Sequence, residues 1–139
     1  CDLRVAEETA QFVPDFENRL DTVGVSPAWL LAQQGLSHTF EILWGPGALD
    51  AGRARAMGLI NRLAPPGKAL EAANALANLL LLNAPVTRRF QKETAYRSAG
   101  TPLCYAFSMR VGPDPYTSED RVEGTRAWVE KRTPAWRDR

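Results

Sequence analysis

Histidine is nearly missing from this 139-residue chain, with His38 standing alone. Cysteine occurs twice, at Cys1 and Cys104, with no CxxC pair and no Cys/His spacing. Structural zinc needs a fuller set of nitrogen and sulfur ligands, so no protein-built metal site is expected. Two reduced thiols in a cytoplasmic chain are the simpler expectation than one disulfide. Long apolar runs are missing too. The longest, near Leu76 to Leu82, falls far short of the ~20 residues of a membrane span. The opening CDLRVAEETA is polar and acidic and lacks the pattern of a signal peptide, so no membrane partner is expected. Neither sign of charge dominates: 17 Lys and Arg face 16 Asp and Glu. Nucleic-acid binding draws on clustered cations and is not expected. Near the end Arg126, Lys131, Arg132, Arg137 and Arg139 alternate with Glu119, Asp120, Glu123, Glu130 and Asp138. That mixture leaves room for a local phosphate contact only.

What is present suffices for one modest core. Hydrophobic residues make up 45% and charged residues 24%, which argues against compositional disorder. Asp2–Ala6 alternates charged and apolar residues and predicts a short strand, with a second at Gln11–Val13. Gly24 and Pro27 punctuate the chain. Trp29, Leu30 and Leu31 then open a helix that Gly35 stops. Leu36–Trp44 predicts a further helix with Leu36, Phe40 and Leu43 on its apolar face. Asp50 caps a short helix that Gly58 ends. Lys68–Leu82 carries Leu70, Ala73, Leu76, Ala77 and Leu80 at helical spacing. Asn83 is expected to cap the next helix, with Pro85 in its first turn and Gly100 as its stop. Ser118 opens the last helix, whose Glu119 and Asp120 suit the positive N-terminal end, and Thr133-Pro134 ends it. The expectation is two or three short strands followed by helices. So few strands make a poor sheet on their own. With Cys1 running straight into Leu3 and Val5, this predicts that the front of the domain lies in further sequence.

Four stretches resemble the crotonase (enoyl-CoA hydratase/isomerase) family, in the family's order. They are CDLRVAEETAQF (Cys1–Phe12), the spacing from Gly35 to Gly58 with Glu41 and Gly47 inside it, GLINRLAP (Gly58–Pro65) and SEDRVEGTRAWVEKRTP (Ser118–Pro134). The resemblance implies the C-terminal portion of an α/β crotonase fold, a ClpP-like spiral. Residues 1–34 would end the spiral β/α core, and residues 35–139 would form a helical region for oligomerisation and coenzyme A contact. It implies a protein acting on acyl-CoA thioesters. The expected activity is that of an enoyl-CoA hydratase, a lyase of fatty acid metabolism, with an isomerase as a sibling activity. Coenzyme A enters as part of the substrate, with no bound prosthetic group, and the assembly is a homotrimer or a dimer of trimers. The family's two oxyanion amides and one catalytic glutamate lie upstream of the C-D pair. They would come from missing sequence or another chain, so this chain alone is expected to be inactive. The alternative is a non-catalytic relative that binds acyl-CoA or serves assembly.

The resemblance also nominates residues. A second hydratase carboxylate sits in F-x-x-P-E. Here FVPDF places Asp15 near that position, while counting back from Gly24 and Pro27 places Leu20 there; Asp15 is the catalytic candidate, with a solvated loop charge as its other reading. Paired carboxylates suit water addition because one can hold a proton while the other takes one. Trp29 falls where the family lines its acyl pocket, and a plain core role is its other reading. No acid occupies Ala28–Leu31, which argues against isomerase and dehalogenase variants. Trp128 and Lys131 take the aromatic and lysine places of A-F-x-E-K-R, where an indole can stack on adenine and an ammonium can meet a phosphate. An exposed helix end is the plainer alternative. His38 and the Asn61-Arg62 pair are expected to be structural, and Cys104 to be a buried small hydrophobe.

Overall fold

The structure, a computed structural model, describes residues 1–13, 27–45 and 47–139. These form two compact units, Cys1–Ala75 and Leu76–Arg139. Within the first unit, later strands return to pair with the first two.

In the first unit, β1 (Val5–Glu7) and β4 (Arg62–Ala64) pair in parallel, Val5 opposite Arg62 and Glu7 opposite Ala64. A parallel pair needs a long crossover. It contains α1 (Pro27–Trp44), β3 (Leu49–Asp50) and α2 (Ala51–Ala56). β3 pairs antiparallel with β2 (Gln11–Phe12). Among the described residues four short strands thus stand where two or three were expected, and two of them lie among the helices instead of ahead of them.

The core of this unit gathers Leu30 and Ile42 from α1, Ala51 and Ala54 from α2, and Met57, Leu59 and Ile60 after it. Ala51 and Ala54 are fully enclosed. With nothing beyond Cβ, they let the short helix lie close to its neighbours. Asp50 caps α2 by accepting the Arg53 N–H at 2.7 Å. Gly58, at φ +79°, ends it with the Leu59 N–H on the Ala54 carbonyl and its own N–H on the Arg55 carbonyl. Gly35, at φ +76°, breaks α1 in the middle, as expected. The buried side beyond that break is Thr39 and Ile42, whereas Leu36 and Phe40 face outward and Phe40 stacks on Trp44. Of the expected apolar face only Leu43 packs against the core.

Helix α3 (Ala69–Leu81) crosses the division between the units. The second unit continues with α4 (Pro85–Ser98), α5 (Leu103–Ala106), α6 (Glu119–Glu130) and an extended tail. Ala84 is the N-cap of α4 and makes no side-chain capping bond. Asn83 instead turns back to donate to the Leu80 carbonyl at 3.4 Å, so the expected cap serves the end of the preceding helix. Cys104 is exposed, not buried: the four residues of α5 are too few to enclose a side face.

The tail is tied down by polar groups. Asp120, only 1% exposed, accepts the N–H groups of Arg137 at 2.7 Å and Asp138 at 3.1 Å. Its own N–H donates to the Arg139 carbonyl. Glu123 accepts two bonds from the Arg132 guanidinium and one from the Ala135 N–H. A Cβ at Gly124 would stand 3.1 Å from the Trp136 ring, whose Nε1–H donates to the Leu82 carbonyl. The S-E-D-x-x-E-G pattern is thus a clasp between helix and tail. Ser118 caps the helix, and the next acids and glycine each hold a piece of the tail.

Among the described residues no single helix is long and apolar enough to cross a membrane.

Candidate functional site

The nominated residues fall in both units. Trp29 lies in the first turn of α1, beside Leu30, which is 2% exposed and plants that turn on the core. Trp29 itself is 44% exposed, so it is not the core residue of its plainer reading. The Arg4 guanidinium carbon stands 5.6 Å from its ring centroid, within cation–π range. No acidic residue lies in the first turn of α1. Asp15 lies outside the described residues.

Trp128 and Lys131 are brought together at the end of α6, where the Lys131 N–H donates to the Trp128 carbonyl. The Trp128 side chain is 85% exposed, a flat surface open for stacking. Lys131 is the helix C-cap at φ +53°, a left-handed conformation rare for a residue with a Cβ. The Arg132 N–H reaches back to the Ala127 carbonyl, which with the Lys131 bond completes a 6→1, 5→2 ending. Those two bonds occupy carbonyls that would otherwise repel an anion at this negative end of the helix.

Charge around this turn is mostly committed. Arg132 is held by Glu123 at 2.6 Å and by Glu130, and these acids raise its pKa further. The Arg132 bonds, and then the Ala135 N–H, lower the Glu123 carboxyl from 4.5 to about 2. Arg137 and Arg139 lie against Glu119 at 3.7 and 3.1 Å. Lys131 is exposed and its side chain bonds to no other described residue. Arg126 on the same helix is exposed as well, so both are open to a phosphate contact. A shallow groove of about 460 Å³ runs along the same helix, lined by Arg121, Val122, Thr125, Arg126, Val129 and Glu130, with neither Trp128 nor Lys131 in its wall.

Several participants escaped sequence reasoning. Arg4 grips Trp29 from 25 positions away, with no local signal to announce it. Glu41 and Arg53 form a two-bond ion pair at 2.7 Å between α1 and α2, and the Arg53 bonds lower the Glu41 pKa. Asn61 fulfils its structural expectation by accepting the Arg4 N–H at 2.7 Å and donating to the Arg4 carbonyl at 2.8 Å. Among the described residues, no group of three His, Cys, Asp or Glu could hold a metal.

Comparison with known proteins adds the family context. The family model described as enoyl-CoA hydratase/isomerase matches residues 1–139. A Thermus thermophilus protein with a provisional enoyl-CoA hydratase name is 36% identical over 137 residues, covering 96% of this chain and 54% of that protein. An enoyl-CoA hydratase of Mycobacterium tuberculosis is 30% identical over 141 residues, covering 99% of this chain and 53% of its own. The crystal structure of an enoyl-CoA hydratase from Mycobacterium tuberculosis superposes with a TM-score of 0.86 at 30% identity, over all of this chain and 56% of that one. The chain spans about half the length of the curated relatives it matches.

Proposed function

The chain belongs to the enoyl-CoA hydratase/isomerase family, and from that premise we propose that the polypeptide carrying it adds water to a 2-enoyl-CoA thioester. The observation that carries the proposal is the match along all 139 residues, joined to a fold shared with enoyl-CoA hydratases at comparable identity. The chain is proposed to be the C-terminal portion of the crotonase fold, a placement supported by the order of the four motifs from Cys1–Phe12 to Ser118–Pro134.

The proposed chemistry starts from the thioester. Water attacks C3 of the enoyl group, electron density moves to the carbonyl oxygen, and C2 of the resulting enolate takes a proton. Two N–H donors aimed at that oxygen stabilise the charge, and losing one typically costs roughly 2.7–4 kcal/mol of barrier. Those donors are proposed to lie outside this chain. Asp15 is the proposed carboxylate partner from within it, Trp29 the proposed wall of the acyl pocket, and Trp128 with Lys131 the proposed contact to coenzyme A. A homotrimer, or a dimer of trimers, is proposed as the assembly. Leu103, Tyr105, Phe107, Val122 and Val129 are all more than half exposed, which supports a partner over the second unit.

A second reading has its own observation. The bulky Trp29 ring stands in the first turn of α1 at 44% exposure, which fits a relative that binds acyl-CoA without turning it over. Crotonyl-CoA hydration, followed by loss of the enoyl thioester absorbance, tests both. Turnover by the natural polypeptide supports the hydratase, and binding without turnover supports the second reading. Failure to bind any acyl-CoA overturns both.

A further inference from the structure

The Arg4 side chain is held by two backbone carbonyls. Its Nε–H donates to the Leu59 carbonyl and its Nη1 to the Cys1 carbonyl at 3.2 Å. Its backbone is fixed on both sides by Asn61, which accepts the Arg4 N–H and donates to the Arg4 carbonyl. Leu59 is itself part of the core at 7% exposure. The guanidinium is therefore placed by the sheet and the core before Trp29 meets it. Trp29 has the opposite character: its neighbour Leu30 is buried, but its own ring is 44% exposed and has the Arg4 cation near it.

We propose that Arg4 is a positioning residue that fixes the orientation of the Trp29 ring and so sets how long an acyl chain the protein accepts. This rests on the reading of Trp29 as a wall of the acyl pocket. The physical argument is one of freedom. An indole held against a fixed guanidinium presents one surface, and a longer chain must displace it. An indole without that cation can rotate at little cost and give way. Releasing the ring should favour longer acyl chains relative to short ones, with the coenzyme A moiety gripped as before.

Binding of butyryl-CoA, octanoyl-CoA and free coenzyme A to the natural polypeptide, measured by calorimetry, tests this without any need for turnover. Arg4→Met removes the cation and keeps the stem. It should shift the octanoyl to butyryl affinity ratio toward octanoyl by about three- to fivefold, the scale of an exposed cation–π contact, with coenzyme A affinity unchanged. Arg4→Lys restores a cation and should return part of the shift, and it serves as the folded comparison if Arg4→Met does not fold. Trp29→Ala should shift the ratio in the same direction, and adding Arg4→Met or Arg4→Lys to it should add nothing. If Trp29→Ala moves the ratio and neither Arg4 variant does, the positioning role is overturned while the pocket reading stands. If Trp29→Ala leaves the ratio unmoved, the pocket reading falls and this inference with it. If the unmodified polypeptide binds neither thioester, the acyl-CoA function itself is overturned.

Discussion

The two units are held together by different physics. In Cys1–Ala75 the described contacts centre on apolar side chains, with Leu30, Ala51, Ala54 and Ile60 all at 3% exposure or less. In Leu76–Arg139 the buried apolar residues are Val86 and Ala127, and a buried carboxylate, Asp120, stands beside them. One unit closes on a core; the other closes its tail onto a helix through charged and polar bonds. Apolar burial is indifferent to proton activity, whereas carboxylates that accept N–H bonds lose that role when protonated. The difference predicts that the units respond to different perturbations, and hydrogen exchange can read each by its own amides.

The largest effect should come from the apolar unit. Leu30→Ala removes a nearly enclosed side chain from the middle of the core and should cost about 3 kcal/mol, within the usual range for such truncations. The loss should appear in the amides of Ala51–Met57 and be the same at neutral and mildly acidic pH. A loss confined to acidic pH would break the comparison. Asp120→Ala comes next, at about 2 kcal/mol, because two charge-assisted bonds to the tail go while the freed N–H groups can reach water. Exchange should quicken first at Arg137 and Asp138. If protection there is unchanged, the clasp does not hold the tail.

Acid should then separate the units without any substitution. The Glu123 carboxyl sits at about 2 in the folded chain against an ordinary 4.5. A carboxyl with a depressed folded pKa contributes stability that is present above the ordinary value and lost as pH falls through the folded one. Protection of the Ala135 amide should therefore decline from about pH 4.5 toward 2, and Glu123→Gln should flatten that decline. A pH profile that is equally steep in Glu123→Gln would assign the acid sensitivity to another group.

The same contrast explains what could be read from sequence. Caps and stops are local, so Asp50, Gly35, Gly58, Gly100 and Ser118 were legible from the residues beside them. β3 and β4 were not, because strands of two and three residues exist only through partners about forty and fifty-seven positions away. Asn83 looked like a cap because its chemistry allows it, yet its amide turns to the preceding carbonyl instead. Of the site, Trp128 and Lys131 were nominated by the resemblance of one short stretch, and they share one helix end. The Arg4–Trp29 contact is tertiary and carried no pattern. The S-E-D-x-x-E-G stretch was visible as a motif, but its work as a clasp shows only once the tail folds back over it.

The smallest prediction is also the one that compares the units most directly. α2 and α6 end in the same 6→1, 5→2 arrangement, with Gly58 at the left-handed position in one and Lys131 in the other. A residue with a Cβ pays about 1–2 kcal/mol for that conformation, partly offset because glycine leaves the unfolded chain freer. Lys131→Gly should therefore stabilise the second unit by about 0.5–1 kcal/mol, while Lys131→Ala, still carrying a Cβ, should change stability little. Measured beside coenzyme A affinity, the two variants separate the roles of one residue. If the ammonium meets a phosphate, both weaken binding alike although only one changes the melting temperature. If binding is unmoved in both, Lys131 leaves the proposed contact and remains a strained helix ending, retained where Gly58 in the other unit carries no such strain.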